Sequence, residues 1–517
     1  MRGIVPRKIK GFRDIDSQAN HLRWKIINAA SKVYKRYGFE HWDTPAIEYA
    51  DNIGKFMPDS DTVEQGVYSF RNPEIEPVYK SDGSELRDEN ENVVMENHFL
   101  ALRYDLTAPL ARKYSEDLWV NYLKGQVTTK SAPLFRRYQF GPVFRYEAKL
   151  DPGRFREFWQ IDFDSVGSKE MTSDAEACMV LSEALEEIGL ARGSYIVKVN
   201  NRKLLKGFLK GLGVETEELE QNILRIIDKK DKIGLDGLKD ELGKGREDSS
   251  GAVIPGLGLD NSLVDGILNL YEKFAETEAR KSILSKLESL VKENEFTEQG
   301  LKELYEIDEI LEKLNYNEER VIFDPTLIRG MAYYTGPVYE VESTQTFKDR
   351  KGRERKVGSI CGGGRYDDLV KRLLGLEVPA TGASIGVDRL AELLTLTDQS
   401  DSIAEGPVLV IVFNDNLMGD YQQIARSLRE NDISAEVFYG ANKNLKKQLS
   451  YADKKNCPVA ILLGEDEFKK GVVTVRNLRL GKEMADKIED KSEWKNKVQT
   501  EVPREELVNK VKNLLAS

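Results

Sequence analysis

Two alternating runs around an Asp-Pro-Gly turn, "GPVFRYEAKLDPGRFREFWQIDFDSVG" from Gly141 to Gly167, constrain this chain more than any other stretch. The pattern predicts a long antiparallel hairpin. Because side chains alternate along a strand, Arg145 and Glu147 share one face of the first run, while Gln160, Asp162 and Asp164 share a face of the second. Trp159, Ile161 and Phe163 then point the other way. A face this polar is ordinary where an antiparallel sheet meets water. Here the chain offers many helical segments to cover both faces, and a covered face carrying Arg, Glu, Gln and two Asp needs a ligand to satisfy it.

The rest of the chain falls into three regimes. The first, 1–195, opens with the helical pattern "QANHLRWKIINAASKVYKRYG", closed by Gly38, and continues into strand candidates at "GVYSF" and "HFLALRYDLT". Between those strands, Asp82-Gly83 marks a turn within an acidic, solvated insertion. The second regime, 196–318, is rich in Lys, Glu and Leu and reads as a helical module inserted between sheet-forming parts, which resume at 319–398. The polar segment "LTDQSDSIAEGP" suits a linker, and from 405 to 517 apolar runs alternate with helical patterns as in a small α/β domain. The expected class is therefore α+β, with an α/β domain at the C-terminal side.

Composition excludes several functions. With 40% hydrophobic and 32% charged residues, and no apolar run near the roughly 18 residues of a membrane span, neither a transmembrane helix nor membrane association is expected. The basic start lacks the apolar core of a secretory signal. Three dispersed cysteines, Cys178, Cys361 and Cys457, form neither a disulfide framework nor a metal-ligand pattern, so no resident metal and a reducing cytoplasm are expected. A net charge of −11 gives no global pull toward nucleic acid, although a local basic patch suffices for that.

Two further stretches carry chemistry. "SICGGGRYDDL" has three consecutive glycines, which permit close backbone approach to a ligand but are more often ordinary turns. No GxxxxGK[ST] loop and no strand-bounded GxGxxG is present. In "GASIGVDRLAELLTL", Leu390, Leu393 and Leu394 pack inward, and Arg389 at the helix start then projects above the sheet.

Taken together, these residues resemble the histidyl-tRNA synthetases, a family of class II aminoacyl-tRNA synthetases, over nearly the whole chain. "GFEHWDTPAIE", "FRYE" with "GRFREFWQIDFD", and "GASIGVDRL" are similar to the three class II motifs. "LIRGMAYYTG" and "CGGGRYDDLV" resemble the histidine-specific signatures. The form "LRYDLTAPLARKY" resembles eukaryotic-like members.

The resemblance implies activation of L-histidine by ATP, with Mg²⁺ carried on the nucleotide, followed by transfer to histidine tRNA. It assigns Arg145 and Arg329 to catalysis at the α-phosphate and the substrate carboxylate. Phe158 and Arg389 would sandwich adenine, and Glu147 would orient the nucleotide. Asp105, Leu106, Thr107 and Gln160 would hold the α-ammonium, and Asp164 with Tyr333 and Tyr334 would read the imidazole. The family commonly has an acidic residue where this chain has Ala332. The first motif implies a homodimer. The C-terminal domain resembles an anticodon-binding module, with Lys443, Lys446 and Lys447 as tRNA contacts; lysines on a helix are otherwise a solvated face. The competing reading is a non-catalytic regulatory paralogue of ATP-phosphoribosyltransferase, which lacks both the catalytic arginines and that domain.

Overall fold

The computed structural model describes residues 5–54, 66–80, 82–128, 131–146, 154–247, 251–274, 278–328, 334–348, 352–397, 405–441, 443–484, 494 and 497–516. Glu147, Arg329, Ala332, Tyr333, the Asp-Pro-Gly turn and most of the expected linker lie outside the described residues. The chain divides into two compact units, Met1–Ile15 with Arg23–Gln399, and Asp16–Leu22 with Ser400–Ser517.

The first unit is built on an eight-stranded sheet. Its strands are β1 (Glu40–His41), β2 (Phe135–Phe144), β3 (Glu157–Val166), β4 (Tyr195–Asn201), β5 (Val321–Phe323), β6 (Pro337–Ser343), β7 (Ser359–Arg365) and β8 (Ala380–Gly386). They lie in the order β1-β2-β3-β8-β7-β6-β4-β5, antiparallel except for the two edge pairs, β1 with β2 and β5 with β4. The hairpin expected from the sequence is β2–β3, in register from Phe135 opposite Val166 to Phe144 opposite Glu157.

Its apolar face packs on helices. In α1 (Ser17–Arg36), Ile26, Ala30 and Val33 are buried, and the Tyr34 ring lies 5.0 Å from Phe163 and 5.8 Å from Tyr138. After α2 (Thr107–Leu123), α3 (Thr172–Ile188) crosses the same side, buried along Ala175, Cys178, Leu181 and Leu185. A wholly buried ion pair ties α3 to β7, in which Arg365 Nε reaches Asp174 Oδ2 at 3.1 Å and Tyr339 donates its hydroxyl to the same carboxylate. Such a pair persists only when its hydrogen bonds are met, and Arg365 also donates to the carbonyl of Ser168 at 3.1 Å.

Between β4 and β5, among the described residues, lie six helices, α4 (Arg202–Gly211), α5 (Glu217–Ile227), α6 (Lys230–Leu242), α7 (Asn261–Lys273), α8 (Arg280–Leu290) and α9 (Glu295–Lys313). The α4 start is fixed by Asn201, whose side chain accepts from Lys203 N at 2.9 Å; α9 opens with a reciprocal Asn294–Thr297 cap. A three-stranded sheet of Ile47–Tyr49, Phe99–Leu102 and Ser69–Arg71 leaves Ile47, Tyr49 and Phe70 exposed on one face. The acidic insertion folds into short antiparallel pairs, Glu76–Pro77 with Met95–Glu96 outermost, in which Asp82 and Asp88 cap their own turns.

The second unit carries a five-stranded sheet of β9 (Val408–Ile411), β10 (Ala435–Val437), β11 (Val459–Leu462), β12 (Val472–Asn477) and β13 (Gln499–Pro503), ordered β10-β9-β11-β12-β13. β9 and β11 are buried along their whole length, as befits parallel strands covered on both faces. No helix among the described residues is long and apolar enough to cross a membrane.

Candidate active site

The polar face of the hairpin lines a cavity of about 290 Å³. Its floor follows from register: β8 sets Gly382, Ser384 and Gly386 opposite Asp164, Asp162 and Gln160, and β7 sets Gly364 and Gly362 opposite Gly382 and Ser384. The glycines leave this floor open. A Cβ on Gly382 would stand 2.3 Å from Asp164 Oδ1 and 2.5 Å from the Phe163 carbonyl oxygen, and one on Gly364 would meet the Tyr334 ring at 2.8 Å. Any side chain here would fill the space above the carboxylates, which gives the glycine cluster a role beyond turning the chain.

Three acceptors stand in a row along β3. Gln160 donates to Ser384 Oγ at 2.6 Å and leaves its Oε1 without a donor; Asp162 Oδ1 and Asp164 Oδ2 also lack hydrogen-bond donors among the described residues. Asp164 is 2% exposed, accepts the Tyr366 hydroxyl on Oδ1, and faces Arg137 across the hairpin in an ion pair at 3.1 Å whose N–H does not point at the oxygen. Burial raises its carboxyl above the usual range, and Arg137 and Tyr366 oppose that rise. Asp162, 3% exposed, is pushed up to about 8 by burial and by the charge of Asp164. Arg137 is itself 1% exposed and donates to the Leu106 carbonyl at 2.6 Å and to Gln139 at 3.2 Å.

At one wall, Asp105 Oδ1 accepts from the backbone N–H of Thr107 and Ala108 at 3.0 and 2.9 Å, so this carboxylate caps α2 while lining the cavity beside Thr107. Leu106 does not line the cavity, because its side chain is fully buried and its carbonyl holds Arg137. Tyr334 and Tyr366 close the far end with ring centres 6.5 Å apart.

At the mouth, Arg145 donates Nε to the Tyr104 carbonyl at 3.1 Å and stacks over the Tyr104 and Phe158 rings at 4.3 and 5.3 Å. No carboxylate among the described residues pairs with it. α10 (Val387–Leu396) buries Leu390, Leu393 and Leu394 as expected, and Arg389 reaches the Ser359 carbonyl at 2.5 Å. Asp388 binds Arg13 and Arg23 and accepts from the Trp159 N–H at 2.6 Å, locking α10 to the hairpin.

The cavity thus gathers Asp105, Thr107, Arg145, Phe158, Gln160, Asp164, Tyr334 and Arg389, all named from the sequence. Asp162, placed on the same polar face from the sequence but given no role, lines it too; sequence reasoning left out Ser384 and Tyr366, which also line it, and Arg137 behind it. Arg137 has the same alternation parity as Arg145, and that signal would have found it.

Such a site offers acceptors at depth that lack donors among the described residues, and at the mouth a guanidinium that pairs with no carboxylate among them. It suits a ligand that brings hydrogen-bond donors to the floor and an anionic group to the mouth. Comparison with known proteins agrees. The family model described as histidyl-tRNA synthetase matches residues 92–390, and the model of the anticodon binding domain matches residues 407–514. Histidine–tRNA ligases of Ruegeria pomeroyi and Paracoccus denitrificans are 43% and 41% identical, each aligning over 98% of this chain and over 96% and 97% of their own length. The crystal structure of histidyl-tRNA synthetase from Nostoc sp. PCC 7120 superposes with a TM-score of 0.68 at 25% identity, covering 99% of this chain and all of that one. A Bacillus halodurans structure titled as an ATP phosphoribosyltransferase regulatory subunit/histidyl-tRNA synthetase, 21% identical with a TM-score of 0.61, shares the fold. The eukaryotic-like kinship expected from "LRYDLTAPLARKY" is not supported, since these curated relatives are bacterial. From its motifs, its site and these matches, the chain belongs to the histidyl-tRNA synthetase family.

Proposed function

We propose that this protein is a histidine–tRNA ligase: it activates L-histidine with ATP to histidyl-adenylate and pyrophosphate, then transfers histidine to the 3′ end of histidine tRNA. The observation that carries this reading is Arg145, an arginine at the cavity mouth held by stacking and by Nε, with no carboxylate partner among the described residues. In the first step an oxygen of the histidine carboxylate bonds to the α-phosphorus, and the bond to the β-phosphate oxygen breaks. Such a displacement needs positioning and charge stabilisation more than a general base. Arg145 bridges the carboxylate and the α-phosphate, and Arg329, by the family resemblance, serves the same phosphate. Phe158 and Arg389 hold adenine between them, Glu147 orients the nucleotide, and Mg²⁺ arrives on the triphosphate, where it neutralises phosphate charge. The α-ammonium binds Asp105, Thr107 and Gln160, with Leu106 supplying backbone between them. Asp164, Tyr333 and Tyr334 read the imidazole.

Amino-acid-dependent ATP–pyrophosphate exchange across the twenty amino acids tests this reading. Exchange with histidine alone is expected. No exchange would favour the non-catalytic paralogue, and exchange with glycine, proline or threonine would mean a different class II enzyme.

The unit from 405 onward serves the tRNA anticodon arm. Lys446 and Lys447 are exposed on the helix Leu445–Lys454, whereas Lys443 is paired with Asp415. Changing Lys446 and Lys447 to alanine should weaken tRNA binding and lower its log–log salt slope by up to roughly one unit per lysine. Exchange without tRNA should not change, and an unaltered slope would leave these lysines as a solvated face. The exposed sheet face of Ile47, Tyr49 and Phe70 includes the end of the "WDTPAIE" motif and suits a two-fold homodimer contact. A fully active monomer in sedimentation would overturn that assignment. A cytoplasmic location accords with this activity.

A further inference from the structure

Asp162 has no task in the chemistry described so far, yet it occupies the middle of the cavity floor. It stands between Gln160 and Asp164 on one strand face, about 7 Å from each by strand geometry. The flanking strands leave it half satisfied. Opposite it on β2, Gln139 spends its donors and acceptor elsewhere: Nε2 donates to the Thr44 carbonyl at 3.3 Å, and Oε1 accepts from Thr44 Oγ1 and Arg137. On β8, the Ser384 hydroxyl bonds to Asp162, and Ser384 in turn accepts from Gln160. Asp162 Oδ1 is left with no donor among the described residues, although the side chain is 3% exposed and lines the cavity. A buried carboxylate oxygen without a donor is costly, and a ligand cation is the group that would satisfy it.

We propose that Asp162 is a further substrate-contacting residue of this site: its open Oδ1 accepts a hydrogen bond from the α-ammonium of the bound amino acid, alongside Asp105, Thr107 and Gln160. The assignment rests on the histidine reading above and deepens it. An ammonium carries three donors, and a site that meets them with carboxylate and amide oxygens discriminates against any substrate lacking that group.

The surroundings of Asp162 add a consequence. It faces Asp164 on its own strand, Arg137 from β2, Asp105 from the segment before α2, Arg103 from beyond the strand Phe99–Leu102, and the Tyr34 phenol from α1. Burial and the two carboxylates oppose its ionisation and the arginines favour it; the balance leaves it protonated below about pH 8 without ligand. An incoming ammonium reverses the balance, so histidine binding expels the proton to solvent. The sign follows: affinity rises with pH up to about 8 and levels off above it.

Calorimetry of L-histidine binding at pH 7.2, in two buffers of different ionisation enthalpy, reads the proton directly. Wild type should release close to one proton and Asp162→Asn close to none. Between pH 7 and pH 8 the wild-type dissociation constant should fall about fivefold, as a group titrating near 8 requires, while that of Asp162→Asn changes less than twofold. At pH 8.5 the variant's KM for histidine should be about tenfold higher, with kcat within about twofold and KM for ATP unchanged. No proton release by wild type, or the same release by a folded Asp162→Asn protein, overturns the assignment; so does a variant that loses thermal stability while keeping the wild-type KM. Should the variant not fold, the wild-type proton count decides alone. Wild-type exchange with histidine but without proton release would sink this inference and leave the ligase reading intact; no exchange at all would sink the ligase reading.

Discussion

Arg145→Ala is expected to lower histidine-dependent pyrophosphate exchange by about a hundredfold or more, the usual consequence of removing one preorganised donor from a developing oxyanion. The fold should tolerate the change. Arg145 has no carboxylate partner among the described residues, so no buried charge is orphaned by its loss. What disappears is a guanidinium held by one hydrogen bond to the Tyr104 carbonyl and by two aromatic rings. Arg145→Lys should recover only part of the rate, because lysine keeps the charge but loses the planar fork and the stacking. Single-turnover exchange on protein of wild-type melting temperature is the measurement, and a rate within threefold of wild type for Arg145→Ala would remove this residue from catalysis. The resemblance gives Arg329 the same phosphate, and its alanine variant is expected to fail to a similar degree.

The hairpin face could be read from the sequence because period-2 alternation is local: Arg145, Gln160 and Asp164 needed only the parity of their own strands. The parts that escaped are those set by pairing between distant strands. Ser384 meets Asp162 and Gln160 only through the register of β8 on β3, over two hundred residues apart in sequence, and no local pattern encodes that register. Tyr366 follows the glycine run that was singled out, but its contact with Asp164 depends on the course of the chain after β7. The double duty of Asp105 was also hidden. Its hydrogen bonds to Thr107 and Ala108 make it the start signal of α2, so the same carboxylate that fixes the helix is placed by it against the cavity. The glycines were ambiguous for a related reason: their meaning lies in what a Cβ would strike, and at Gly382 that is Asp164. The family motifs supplied what alternation could not, except in kinship, where one local variant of a motif pointed away from the bacterial relatives found over the full length.

Asp164→Asn is expected to raise KM for histidine at least about tenfold and to lower kcat, with KM for ATP little changed. Oδ1 is taken by the Tyr366 hydroxyl, and Oδ2 faces Arg137 without a hydrogen bond, so it has no donor among the described residues. An imidazole N–H donated to that oxygen gains a charge-assisted bond in a water-poor site, worth roughly 1.5–3 kcal/mol, and an amide in its place forfeits the charge. The amide also carries two donors of its own, one of which would face the ring nitrogen's hydrogen if the side chain flips. A second effect separates this variant from a simple loss of contact. Arg137 is buried, and without Asp164 its positive charge would rest on the Leu106 carbonyl and Gln139. Asp162, which feels the charge of Arg137, is a group that can answer it. Removing the charge of Asp164 removes one of the causes that hold Asp162 protonated, so Asp162 should ionise at lower pH in the variant and restore part of the balance. Asp164→Asn should therefore fold, with a lowered melting temperature, and the double variant Asp162→Asn/Asp164→Asn should lose more stability than the two single losses together. Steady-state kinetics and thermal melts of the three proteins check both claims: an unchanged KM and kcat for histidine would take Asp164 out of the pocket, and strictly additive stability losses would refute the shared role toward Arg137.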